Sequence, residues 1–142
     1  RGVLRHALSV SGREPRGALD VDLDLDGSRL QLIATHLGLR PAERREQVQR
    51  LLPLFETRDR DLVVLTGDLN EWFLWGRPLR MLHRIFPRTP HRRTWPAYAP
   101  LFALDRIWVH PHNAPRRLTA HRSALTRVAS DHLPLTLEIE LE

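Results

Sequence analysis

The sequence predicts an α/β domain of the α+β kind with mostly antiparallel strands, and three observations carry that reading. Ala18 to Leu25 alternates without a break, placing Leu19, Val21, Leu23 and Leu25 on one face and Asp20, Asp22 and Asp24 on the other. A period of two is the signature of a half-buried strand. Asp26-Gly27 follows, a pair suited to the two positive-φ positions of a type I′ hairpin turn. Finally, Leu133 to Leu141 alternates apolar residues with Pro134, Thr136, Glu138 and Glu140, as an antiparallel edge-type strand does.

The remaining elements follow in order. The hairpin returns along Arg29 to Thr35 and ends at His36. The aspartate row can be read as a cation site or as a charged, solvent-facing strand edge, and the second is the simpler expectation. Pro41 suits a first helical turn, after which Val48, Leu51, Leu52 and Phe55 fall at i, i+3, i+4 and i+7 on one apolar stripe. Arg44, Arg45, Gln47 and Arg50 lie mostly off it and are expected to be solvated, with Arg44, Arg45 or Gln47 also placed to support the loop after His36. Asp61 to Thr66 reads as a strand covered on both faces. Between Trp72 and Phe86 we expect a loop and a short helix around Leu79 to Ile85. Pro87 to Pro100 holds four prolines, which supply no ladder donor, so it is expected to be irregular. Further strands are expected at Leu104 to Val109 and around Leu118 to His121.

A chain of 142 residues that is 42% hydrophobic can bury one domain's core. Its net charge of +5 favours anionic partners without choosing among nucleic acid, phosphorylated metabolites and lipid headgroups. With no Cys, disulfides and thiolate metal sites are excluded, which fits a reducing, cytoplasmic setting. No apolar run approaches the ~18 residues of a transmembrane segment. The chain opens Arg1-Gly2-Val3-Leu4 with no Met, and we expect its true N-terminus to lie upstream.

Chemistry is concentrated at strand ends. Gly67-Asp68-Leu69-Asn70 closes the Asp61 to Thr66 run. If extended backbone continues, Asp68 and Asn70 share one side while Leu69 faces the core. A carboxylate and an amide converging on one point suit a hard cation such as Mg²⁺, which takes oxygen ligands and keeps several waters. Ordinary turn residues after a strand have the same composition. Ser130-Asp131-His132 places a carboxylate beside an imidazole before the last strand, and Asp105 begins another, where it can cap, pair with an arginine, or orient His132. Together with His36, these groups supply the charge neutralisation and proton route that phosphate-ester hydrolysis needs.

Thr35-His36-Leu37, Gly67-Asp68-Leu69-Asn70, Leu104-Asp105-Arg106-Ile107 and Ser130-Asp131-His132-Leu133-Pro134-Leu135, in that order, resemble the endonuclease/exonuclease/phosphatase superfamily of deoxyribonuclease I-like enzymes. The Arg45/Gln47 helix and Thr94-Trp95-Pro96 extend the resemblance over nearly the whole chain. It implies a four-layer α/β sandwich and a hydrolase using Mg²⁺ or Mn²⁺ and in-line water attack. In that scheme Asp68 positions or activates the water, Asn70 holds it and the phosphate oxygens, and His36 binds the scissile phosphate and helps the leaving group. Asp131 joins Asp68 and Asn70 at the metal, and Asp105 orients His132, which contacts the phosphate.

The family's early Asn and metal-binding Glu have no counterpart, since Glu14 sits in a Gly/Pro/Arg loop. Residues 1–142 are therefore expected to be the C-terminal portion of one domain, inactive or nearly so alone. Either an exposed apolar face or a covering partner should follow, the partner being the missing N-terminal half or a second copy. The substrate is left as nucleic acid, phosphoinositide or phospholipid headgroup, with Arg92, Arg93 and Trp95 as candidate contacts. Trp72 and Trp75 are expected beneath the Pro-rich loop, the alternative being substrate or lipid contact. A non-catalytic basic module binding nucleic acid or anionic lipid is the rival reading.

Overall fold

The computed structural model describes residues 2–86 and 90–140. A five-stranded sheet runs in the order of the chain: β1 (Gly2–Ala7), β2 (Gly17–Leu25), β3 (Ser28–His36), β4 (Leu62–Asp68) and β5 (Asp105–His110). Only the β3/β4 pair is parallel, because α1 (Pro41–Leu51) and the 3₁₀ turn Leu52–Leu54 form the crossover between them. A two-stranded antiparallel sheet, β6 (Pro115–Ala120) with β7 (Leu135–Ile139), completes the strands. The short helices α2 (Arg77–Leu82) and α3 (Thr126–Ala129) lie in the connections. Among the described residues no helix is long and apolar enough to cross a membrane.

Strand alternation sorts the core into two halves. Ile33, Val63, Leu65 and Trp108 pack against Val48 and Leu51 of α1 and Leu79 and Leu82 of α2. On the opposite face Leu30, Leu62, Val64 and Val109 meet Ala114, Leu137 and Ile139. The Asp26-Gly27 turn forms as expected, with φ of 52° and 95° and Leu25 facing Ser28.

Three expectations are corrected. First, the β2 aspartates are not a uniform solvent-facing row: Asp24 is exposed as expected, but Asp22 pairs with Arg60 at 2.9 Å, and Asp20 accepts from Gln31 Nε2 at 3.0 Å and lies 3.3 Å from His6 Nε2. The apolar row is largely exposed too, with Val3 of β1 and Leu19, Leu23 and Leu25 of β2 at 62, 44, 37 and 39% exposure. Alternation separates two rows without deciding which is covered, and β6–β7 packs on β4 and β5, leaving β1 and β2 bare.

Second, Arg44 and Gln47 are buried with Val48 and Leu51, so the inward stripe of α1 begins with polar residues. Those residues satisfy the backbone of the loop after His36: Gly38 N–H donates to Gln47 Oε1 at 2.8 Å, and Arg44 Nη1 donates to Leu39 O at 2.6 Å. A buried turn has no water for these groups, and the side chains replace it. Third, Trp72 and Trp75 are 45% and 69% exposed. Trp72 packs on Trp95 of the Pro-rich loop and on Phe102 just after it, and the ring of Trp75 packs on Phe73.

Strand β1 and helix α3 have no counterpart in the sequence reading. Residues 90–100 are irregular as expected, apart from a bridge between Trp95 and Phe102. Pro87 of that expected loop and Leu141 of the expected last strand lie outside the described residues.

Candidate active site

Three strands bring their ends together. His36 closes β3 opposite Asp68 at the end of β4, and Asp68 stands opposite Asp105 at the start of β5. All three continue rows that run along the inter-sheet face, Leu30-Leu32-Ala34, Leu62-Val64-Thr66 and Val109-Ile107. The period that buries aliphatic side chains thus turns polar at one rim.

Two close contacts hold the rim. Gly67 has φ of 145°, and a Cβ there would lie 1.7 Å from Thr35 O. The glycine therefore serves the approach of β3 to β4. Beyond β4 the chain does not stay extended: Asn70 has φ of 50° and its N–H donates to Asp68 Oδ1 at 2.8 Å. This Asx-type turn, not strand periodicity, sets Asn70 beside Asp68, while Leu69 is buried as expected. Asn70 Nδ2 donates to Leu37 O at 2.7 Å, and its amide oxygen makes no hydrogen bond among the described residues.

His132 arrives from the loop before β7. Its Nδ1 donates to Asp105 Oδ2 at 2.7 Å, leaving Nε2 3.6 Å from Asp68 Oδ2. His36 Nε2 approaches the same oxygen at 3.4 Å. Asp68, Asp105 and His132 therefore offer ligand atoms all within 4.8 Å of one another. Thr94, fully buried, donates its hydroxyl to Asp105 Oδ2 and accepts from Asp105 N–H at 3.4 Å. Its backbone also takes Leu133 N–H at 2.8 Å, so one residue ties the carboxylate to the histidine loop.

Burial pushes the Asp68 carboxyl above its usual 3.8; the Asn70 amide opposes this, Asp105 reinforces it, and the two histidines oppose it. Burial alone would lower His132, but the hydrogen bond and charge of Asp105, with the charges of Asp68 and Asp131, raise it above 6.5. The arrangement favours an imidazolium facing a carboxylate.

A cleft of about 540 Å³ opens over this cluster, walled by Glu14, Arg16, Leu39, Trp72, Trp95 and Asp131 among others. Asp131 is exposed, and its Oδ2 accepts from Trp95 Nε1 at 3.4 Å. Arg92 and Arg93 are exposed and do not line the cleft. The sequence reading missed Arg16, which pairs with Glu14 at 2.8 Å while its Nε is buried without a hydrogen-bond partner among the described residues. Its position before Gly17, where β2 starts, is the only signal the sequence offered. Glu14 is solvent-exposed and lines the cleft, outside the group formed by Asp68, Asp105 and His132.

Among the described residues Asp68, Asp105 and His132 form a group of acidic and imidazole donors of the kind that takes a divalent cation. Asn70 and Asp131 line the same cleft and carry the oxygen atoms that Mg²⁺ and Mn²⁺ prefer. Asp105 and His132 are also bonded to each other.

No protein-family model matches the chain. It is 37% identical over 143 residues to the uncharacterized protein YbhP of Escherichia coli, an alignment covering 94% of this chain and 56% of that protein. The chain thus spans little more than half the length of that relative. Among solved structures, an endonuclease/exonuclease/phosphatase protein from Bacteroides vulgatus superposes with a TM-score of 0.75 at 16% identity, covering 98% of this chain and 65% of that one. A mannosyl-6-phosphatase from Bacteroides thetaiotaomicron superposes with a TM-score of 0.71 at 16% identity, covering 99% of this chain and 66% of that one. The chain has the α+β, sheet-dominated fold of the endonuclease/exonuclease/phosphatase proteins.

Proposed function

We propose that the chain carries most of the hydrolytic centre of a metal-dependent phosphoric ester hydrolase, a phosphodiesterase, nuclease or phosphatase. The observation behind this reading is the convergence of His36, Asp68, Asp105 and His132, drawn from three strand ends and one loop, beneath an open cleft. Asp68, Asn70 and Asp131 would hold the cation, which supplies positive charge against the phosphate oxygens. Asp68 also positions the attacking water for in-line displacement and accepts its proton. His132, fixed by Asp105, presents Nε2 to the phosphate and neutralises charge there. His36, 56% exposed, binds the scissile phosphate and helps the leaving oxygen depart. Arg16 adds a cation to the wall.

On this reading residues 1–142 form the C-terminal portion of one domain, and the apolar rows of β1 and β2 receive the rest of it. The 56% share of the relative's length and the exposed Val3, Leu19, Leu23 and Leu25 support that view. The test is Mg²⁺-dependent hydrolysis of bis(p-nitrophenyl) phosphate and p-nitrophenyl phosphate by a longer chain containing these residues. Asp68→Ala and His132→Ala should each lower turnover by about 10²-fold or more. Undiminished activity in both variants would remove the site assignment, and vigorous turnover by the 142 residues alone would remove the partial-domain reading.

A further inference from the structure

Trp72, Phe73, Leu74 and Trp75 are four consecutive apolar residues, and all four are exposed, at 45, 56, 47 and 69%. Exposed apolar runs of this length are selected against unless they serve a purpose. The loop is not loose. Glu71, immediately before it, is buried and paired with Arg44 at 3.3 Å, and it accepts Phe73 N–H at 3.3 Å. Gly76 N–H closes the turn on Phe73 O at 3.0 Å, and Pro78 and Leu79 are buried just beyond. Firm anchors on both sides therefore hold the apolar tip outward.

Its surroundings extend the same character. Leu39, 70% exposed, and Trp72 line both the candidate active cleft and a neighbouring groove. The turn between Trp95 and Phe102, whose rings pack on Trp72, exposes Tyr98 and Leu101 at 73% and 60%. Arg45 and Arg77 stand in the groove beside Phe73 and make no hydrogen bond or ion pair among the described residues. The groove's one carboxylate, Glu71, is already taken by Arg44.

We infer that this lip docks the protein on an anionic lipid bilayer, so that the cleft acts on phosphate esters presented at that surface. The inference rests on the reading of the cleft given above. Trp and Phe beside unpaired arginines are what an anionic interface binds, apolar rings entering the headgroup boundary and guanidinium groups meeting lipid phosphates. Single-stranded nucleic acid fits less well: Phe73 lies on Trp75 at 5.4 Å and Trp72 on Trp95 at 5.2 Å, so the rings cover one another instead of standing as separate platforms. Leu39, Leu74 and Leu101 offer no stacking face. A second copy would bring Arg45 and Arg77 toward the same residues of its mate.

Co-sedimentation with phosphatidylcholine vesicles, with and without phosphatidylglycerol, tests this on the 142-residue chain. Binding to the mixed vesicles is expected, with Trp fluorescence quenched by brominated acyl chains. Phe73→Ser with Trp75→Ser should weaken partitioning about tenfold or more with the thermal melt preserved. Arg45→Gln with Arg77→Gln should remove the preference for phosphatidylglycerol and its salt dependence. Leu23→Ser, on the bare face of β2, should bind as the parent does. Absent vesicle binding, binding untouched by the Phe73/Trp75 change, an equal loss in Leu23→Ser, or a loss of oligonucleotide binding in its place would overturn the inference. Asp68→Ala should bind vesicles normally, so failed hydrolysis and failed docking are separable.

Discussion

His132 Nδ1 lies 2.7 Å from Asp105 Oδ2, joining a loop residue to the first residue of β5 across 27 positions of sequence. This bond selects which imidazole nitrogen faces the cleft and favours the charged ring. In a ¹H–¹³C titration the His132 midpoint should lie above 6.5, and Asp105→Asn should bring it down. A folded-state value above the unfolded one means that protonated His132 stabilises the fold fully below about 6.5. That contribution disappears as pH rises through the folded midpoint. His132→Gln should flatten the melting temperature across that window, and an unchanged pH profile would contradict the pairing.

Thr94 supports the same carboxylate from beneath. Replacing it with Val keeps the shape but removes the hydroxyl that Asp105 receives. We expect the His132 midpoint to shift and stability to fall by roughly 1–3 kcal/mol, the cost of an unmet buried polar group. An unaltered His132 titration in Thr94→Val would show that Asp105 does not depend on Thr94.

Gly67 admits no side chain. A methyl group would meet Thr35 O at 1.7 Å, a backbone atom that cannot rotate away, and φ of 145° is closed to other residues. Gly67→Ala should cost about 1–3 kcal/mol or more in urea unfolding, because strand separation must change or the backbone must strain. A loss of a few tenths would mean that the β3/β4 approach is softer than it looks.

Arg44 and Glu71 are each 5% exposed, so neither charge can be deleted cheaply. Glu71→Ala is expected to destabilise by about 3–5 kcal/mol, leaving Arg44 and the desolvated Arg106, already lowered to about 10, without their carboxylate. Denaturant titration of Glu71→Ala against Glu71→Gln measures how much of this is charge and how much is packing.

Cation binding has a readout independent of turnover. Mn²⁺ should broaden the His36 and His132 resonances selectively, EDTA should restore them, and Asp68→Asn should weaken the effect about tenfold. Equal broadening of the distant His110 would mean that the cation binds elsewhere.

Strand and turn identities were legible because they depend on nearest neighbours. Asp26-Gly27 can hardly avoid a type I′ turn, and the runs before Asp68 and after Pro134 needed no partner to be recognised as strands. Asp68, Asp105 and His132 were legible as candidates because their residue types and order resemble a known pattern. The way Asn70 reaches Asp68 was not, since a left-handed residue replaced the expected extension.

The amino-acid sequence alone thus determined the period-two rows, the hairpin turn and the strand-end positions of His36, Asp68 and Asp105, all set by local backbone geometry. Only the tertiary structure decided which row is covered, why Arg44 and Gln47 turn inward, and that Trp72 to Trp75 stand exposed. Burial is a property of what packs against a surface: β6–β7 covers β4 and β5 and stops short of β2, and no periodicity within β2 records where a neighbouring sheet ends.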